Sequence, residues 1–164
     1  MQHFTAHRLT FNMRAVDTVE LNEHQGSALR GALFHALRHK FCAFARQQEV
    51  ECSACVLAQT CPVATLVSTL DPHHARGQDR PRPFTIQPPI VAGAGLNSSS
   101  GSASFTGHYW EREDGTGVFR YEPGEALTFG LTLYAQAMRL FPYVVLALQE
   151  FEEGGLGRKC EQYE

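Results

Sequence analysis

The patterned segments of the chain run strand, helix, strand, strand, helix, strand. That order predicts an α+β fold of the split βαβ, ferredoxin-like (βαββαβ) type, an antiparallel sheet with two helices on one face. Three observations carry the prediction. Leu127, Phe129, Leu131 and Leu133 alternate with Thr128, Gly130, Thr132 and Tyr134, a two-residue period that gives a strand one apolar face. Leu29, Leu33, Leu37 and Phe41 recur every four residues, the buried stripe of a helix expected over residues 25–47. Pro142 suits the first turn of a second helix with Val144, Leu148 and Phe151 inward, and Gly154-Gly155 stops it.

The remaining elements follow in order. His7, Leu9, Phe11 and Met13 alternate with Arg8, Thr10, Asn12 and Arg14, a first strand. Residues 15–23 are polar and turn-like. Gly26 and Gly31 lie on the early turns of the first helix, where glycine lets another backbone come close. A cysteine-rich insertion covers about 49–62, and residues 63–70 read as a short helix or a strand. Residues 71–82 form a polar, breaker-rich loop, and 83–89 form an extended piece whose prolines place it at a sheet edge. Gly, Ser and Ala dominate 92–107, a flexible loop. Tyr109-Trp110-Glu111 reads as a short strand; Asp114-Gly115-Thr116-Gly117 and Tyr121-Glu122-Pro123-Gly124-Glu125 read as turns. Residues 156–161 open a last strand.

Composition bounds the partners. At 164 residues with 43% hydrophobic content the chain holds one domain with a real core. It has no run of eighteen apolar residues, so no membrane span is expected, and its start lacks the marks of a signal peptide. The expected compartment is the cytoplasm. Net charge is -3, which argues against a uniformly basic nucleic-acid binder. The charge is uneven: Arg8, Arg14, Arg30, Arg38, Lys40 and Arg46 outweigh Asp17, Glu20 and Glu23, leaving the first 46 residues at +3 and the remainder at -6. A basic first third can face a phosphate backbone.

The first helix and the loop after it hold the chemistry. His35, Arg38, His39 and Arg46 fall opposite the apolar stripe, a front able to meet a polyanion. Cys42, Cys52, Cys55 and Cys61 place four soft donors within twenty residues, and Cys-x2-Cys supplies half of a tetrahedral zinc site as a tight knuckle. Structural zinc is the leading reading. An iron–sulfur cluster and reduced, semi-buried thiols are the others, and Cys42 is the weakest ligand of the set.

Several stretches together resemble a known family: residues 26–38, the Cys-x2-Cys-x5-Cys-Pro loop, Arg80-Pro81-Arg82-Pro83-Phe84, residues 121–133, residues 142–148, and Gly154-Gly155-Leu156-Gly157-Arg158. The set resembles the amino-terminal part of the CRISPR-associated endoribonucleases of the RAMP superfamily that process precursor guide RNA. The resemblance implies a single ferredoxin-like RAMP domain over 1–164 that binds and cuts CRISPR repeat RNA without a metal, by 2′-hydroxyl attack. Such enzymes carry two ferredoxin-like halves; this chain matches the first, and a second domain is expected to be missing.

That reaction needs a base for the 2′-hydroxyl, an acid for the leaving 5′-oxygen and a cation on the phosphorane. His35 and His39 sit four apart on one helix face and are the candidate catalytic residues, His35 first, with exposed helix histidines as the ordinary alternative. Arg38 and Lys40 are the nearby cations. Gly154, Gly155 and Gly157 with Arg158 and Lys159 make a candidate RNA-facing loop, or an ordinary helix stop. Arg76, Arg80 and Arg82 are a clamp on RNA or a solvated loop. Tyr109 and Trp110 suit base stacking, although core packing is the commoner use of such rings. The alternative function is a non-catalytic RNA-binding or scaffold subunit of a CRISPR effector complex, with other effector subunits as partners; a small zinc-stabilised protein–protein module is the third.

Overall fold

The structure is a computed structural model that describes residues 4–45, 52, 55–67, 81–89, 107–112 and 114–156. It is a mixed α+β fold in which two three-stranded antiparallel sheets are combined with a few helices.

The first sheet is built by the two longest alternating segments. β1 (Ala6–Arg14) runs antiparallel to β6 (Ala126–Tyr134), with Leu9 opposite Leu131, Phe11 opposite Phe129 and Met13 opposite Leu127. The period of two sends these side chains to one face, where the Phe11 and Phe129 rings stack 5.4 Å apart. β3 (Phe84–Gln87) pairs with the other side of β6 and lies at the edge, as its flanking prolines require.

α1 (Gln25–Phe41) covers this apolar face with Leu33, Ala36 and Leu37. α2 (Pro62–Val67) adds Val63 and Leu66, and α3 (Phe141–Gly154) adds Val144, Ala147 and Phe151. Leu131 and Leu133 of β6 are buried beneath them. The helix ends follow local chemistry. α1 runs to Phe41 and gives way to extended backbone at Cys42, earlier than residue 47. α3 carries Pro142 in its first turn and stops at Gly155, whose φ of 74° is left-handed and whose N–H bonds the Phe151 carbonyl. No helix among the described residues is long and apolar enough to cross a membrane.

The second sheet departs from the sequence expectation. Residues 15–23, expected as a turn, contain β2 (Val19–Asn22), and β5 (Gly117–Tyr121) fills the space between two expected turns. β5 sits between β2 and β4 (His108–Glu111). Both extra strands are short, and their apolar residues are too few to show a period. Their partners, about a hundred residues apart in the chain, stabilise them instead. Leu21, Leu29, Tyr121, Leu127 and Phe129 form a smaller core under this sheet. Tyr121 is fully buried, and its hydroxyl donates to Gln25 Oε1 at 3.3 Å. Gly107 is required here: its φ is +98°, and a Cβ would stand 2.6 Å from the Tyr121 ring.

Gly26 and Gly31 play a lesser part than expected. A Cβ at Gly26 would meet Pro88 at an ordinary 3.9 Å, and at Gly31 it would meet nothing within 4 Å. The flexible loop expected at 92–107, apart from Gly107, and the last strand at 156–161, apart from Leu156, lie outside the described residues.

Candidate functional site

The last turn of α1 and the middle of α3 bring three polar side chains together. His39 Nδ1 lies 2.8 Å from Glu150 Oε2, and Lys40 Nζ lies 2.5 Å from Glu150 Oε1. The two helices cross because their apolar faces share one core, and this crossing carries residues 39 and 150 into contact across 111 positions of sequence. The carboxylate is nearly enclosed, with 13% of its side chain accessible, whereas the imidazole is 75% accessible. The Lys40 hydrogen bond, followed by that of His39, holds the Glu150 carboxyl below the usual carboxylate range.

This geometry fixes which ring nitrogen donates. A carboxylate only accepts, so the Nδ1–H of His39 donates to it, and in the neutral ring this places the lone pair on Nε2, on the open side. A carboxylate that orients an imidazole in this way makes a usable general base. His35 stands one helical turn before it, exposed, with its ring 5.5 Å from that of Phe34 and no hydrogen-bond partner among the described residues. Basic side chains in the last turn of α1 also complement the negative end of the helix dipole.

Arg38 departs from the expected cluster. It is half-buried and lies close enough to Cys52 to favour that residue's thiolate. The thiols themselves gather at the exit of α1. Cys42 follows the helix, the Cys55 N–H donates to the Cys52 carbonyl at 3.4 Å, and Cys61 precedes α2. Cys42, Cys52 and Cys61 pack on the edge of the main core, and all four are free thiols. Burial pushes the Cys52 thiol up, and the neighbouring Cys42 and Cys61 add to this. Among the described residues no three Cys, His, Asp or Glu side chains stand at metal-ligand spacing. The zinc reading therefore rests on donor type and sequence spacing.

The other candidates are scattered. Gly154 and Gly155 end α3; Gly157, Arg158 and Lys159, like Arg76 and Arg80, lie outside the described residues. Arg82 precedes β3, and its Nε is buried with no hydrogen-bond partner among the described residues. Tyr109 and Trp110 are exposed, at 53% and 57%, because β4 is an edge strand with every residue solvent-accessible. Neither ring is buried, although Tyr109 packs edge-on against Phe119 with centroids 5.4 Å apart. Trp110 borders a cleft of about 490 Å³ whose charged lining is mixed, with Glu20, Glu111 and Asp114 beside Arg112 and Arg120.

Glu150 was missed by sequence reasoning. It is one of three acids near the end of α3, with Glu152 and Glu153, and nothing in that local pattern singles it out.

The sequence model of one protein family, described as an N-terminal domain, matches residues 4–164. The chain belongs to that family of N-terminal domains. No curated protein and no solved structure matches it.

Proposed function

We propose that this family member is the ferredoxin-like, RNA-binding amino-terminal domain of a CRISPR-associated endoribonuclease of the RAMP superfamily, which cuts repeat RNA to release guide RNAs. The His39–Glu150 pair carries the catalytic part of the reading. The sequence resemblance supplies the substrate. The strand order of the first sheet supports the ferredoxin-like assignment: β1 borders β6, which borders β3, so the first, third and second strands of the βαββαβ scheme are neighbours in that order. The fourth strand, expected after α3, would take the free edge of β1. The two strands β2 and β5, with β4, are additions to that scheme.

In the proposed reaction His39 Nε2 takes the proton of a 2′-hydroxyl while Glu150 holds the ring through Nδ1. The 2′-oxygen attacks the adjacent phosphorus and the P–O5′ bond breaks. His35, as an imidazolium, gives its proton to the departing 5′-oxygen. The products are a 2′,3′-cyclic phosphate and a 5′-hydroxyl. Lys40 neutralises Glu150 and adds positive charge beside the phosphate. The pairing with Glu150 moves the base role to His39, ahead of His35. Structural zinc on the four thiols remains a proposal on the fold's stability, tested by metal analysis of the purified protein. A reducing, cytoplasmic setting is proposed on the same free thiols.

The test is incubation of the protein with end-labelled repeat RNA in EDTA. Cutting is expected, with cyclic-phosphate ends, and His39→Ala should slow it by about 10²–10⁴-fold while binding survives. Binding by the wild-type chain without any cutting would assign it instead as a non-catalytic RNA-binding or scaffold subunit of an effector complex. Cutting that survives in both His39→Ala and His35→Ala would sink the assignment of the site.

A further inference from the structure

We infer that the open edge of β4, with the cleft beside Trp110, takes an extended basic segment of a partner protein, which adds a strand to the second sheet. This surface is separate from the proposed RNA chemistry and does not rest on it. β5 lies between β2 and β4, so β4 ends the sheet, and among the described residues nothing pairs with its outer edge. The backbone there is set to pair. The Arg112 N–H donates to the Thr116 carbonyl, and the Gly115 N–H donates to the Arg112 carbonyl. Arg112 therefore turns its backbone towards β5. Alternation turns His108 and Trp110 the same way and leaves the N–H and C=O of Tyr109 and Glu111 at the open edge. Such edges are commonly blunted by lysine, proline or a bulge. β4 has none of these, and its centre is Tyr109-Trp110.

The cleft supplies the selectivity. The strand register puts Trp110 and Val118 on one face, with Glu20, Arg120 and His108 in the adjacent row. Val118 is only 6% exposed although it belongs to neither core. It floors the cleft, and the exposed Trp110 ring walls it at the open edge. Acids are in excess around it. Arg112 is matched by Glu20 and Arg120 by Glu122. Asp114 accepts from the N–H and hydroxyl of Thr116, which are neutral donors, and the Glu111 carboxylate has no partner among the described residues.

An extended segment that pairs with an edge gains main-chain hydrogen bonds, and alternate side chains read the pockets beside it. The residue it sets opposite Trp110 projects over the same face. A lysine or arginine at that place lies on the indole, the best aromatic partner for a cation, in the field of Glu111 and Asp114. The same acidic excess turns away a polyanion, so Trp110 is not a platform for a nucleic-acid base.

The experiment uses a short labelled peptide of alternating lysine and valine. Its comparisons are alternating glutamate and valine, and alternating lysine and proline, whose prolines lack the N–H needed for pairing. Trp110 is the only tryptophan of the chain, so its emission reports the site directly. The lysine–valine peptide should change that emission saturably. The glutamate peptide should not bind, and the lysine–proline peptide should bind at least about tenfold more weakly. By peptide anisotropy, Trp110→Ala should lose about tenfold or more and Glu111→Gln/Asp114→Asn about fivefold. Glu152→Gln, an exposed acid on α3, should bind as the wild type. The peptide comparisons need only the wild-type chain, so they decide even where a variant fails to fold. An emission that never responds overturns the inference. Equal binding of the lysine–proline peptide reduces the contact to charge and overturns strand addition. Equal binding by the folded double variant overturns the selection of a cation. An emission change on concentrating the protein alone, with a dimer in sedimentation, assigns the edge to a second copy of the chain and overturns the basic partner.

Discussion

The two sheets of this molecule share strand number and antiparallel pairing, yet they present charge to solvent in opposite ways. On the second sheet and the loops that close it, basic side chains stand against carboxylates: Arg112 lies 2.5 Å from Glu20, Arg120 2.8 Å from Glu122, and His108 3.4 Å from Glu125. On the first, Arg8 and Arg14 lean on an amide and a backbone carbonyl. Paired surface charges contribute little and attract no polyanion at a distance. Unpaired ones set up a field that a phosphate backbone can neutralise. The difference separates a sheet whose basic side chains face carboxylates from one whose arginines lean on neutral oxygens.

The largest effect that tests this comparison lies beneath the first sheet. Leu133 is fully buried between β1, β3 and the helices. Leu133→Ala should cost about 2–5 kcal/mol in denaturant unfolding. A cost near that of a surface change would mean that the helices do not pack on this sheet as described.

The second sheet answers to alkali. Burial, followed by the nearby Glu125 carboxylate, pushes the Tyr121 phenol up to about 12 from 10.0. Its folded pKa is raised, so the unfolded chain ionises first, and the contribution is whole below pH 10 and lost as pH rises towards 12. The loss should approach ~3 kcal/mol, about 1.4 kcal/mol per pKa unit. Thermal unfolding followed from pH 9 to 12 measures it, and Tyr121→Phe should flatten that limb of the curve. An equally steep limb in the Phe variant would show that the phenol is not the titrating group.

The smallest effect is the most direct on charge. Glu20→Gln with Glu122→Gln removes the carboxylates paired with Arg112 and Arg120, leaving Glu111 and Asp114 as the acids beside them. RNA affinity should rise about two- to fivefold at low salt, with a steeper salt dependence. Unchanged affinity would show that freeing arginine charge on the second sheet does not raise the affinity for RNA.

Much of this was written locally. The alternation of Leu127 to Leu133 marks β6, the four-residue repeat of Leu29 to Leu37 marks the buried stripe of α1, and Pro142 and Gly155 bound α3. These signals are short-range: a period that matches one backbone geometry, a ring that suits a first helical turn, a residue that tolerates a left-handed end. The apolar content and the uneven charge along the chain were equally plain, as was the clustering of the thiols.

Only the tertiary structure decided the rest, because each remaining feature joins residues distant in the chain. β2 and β5 exist as partners of one another, and neither four nor five residues carry a period of their own. His39 was visible as a titratable side chain, but Glu150 becomes its partner only where α1 crosses α3. Tyr109 and Trp110 looked like core rings until their strand fell at an edge. Arg8 and Arg14 read as ordinary strand cations; that they lie beside Gln87 and Gly124, and on a face without a carboxylate, is set by the register of three strands. Periodicity determines which side of an element is buried. What its exposed side chains meet is determined by packing.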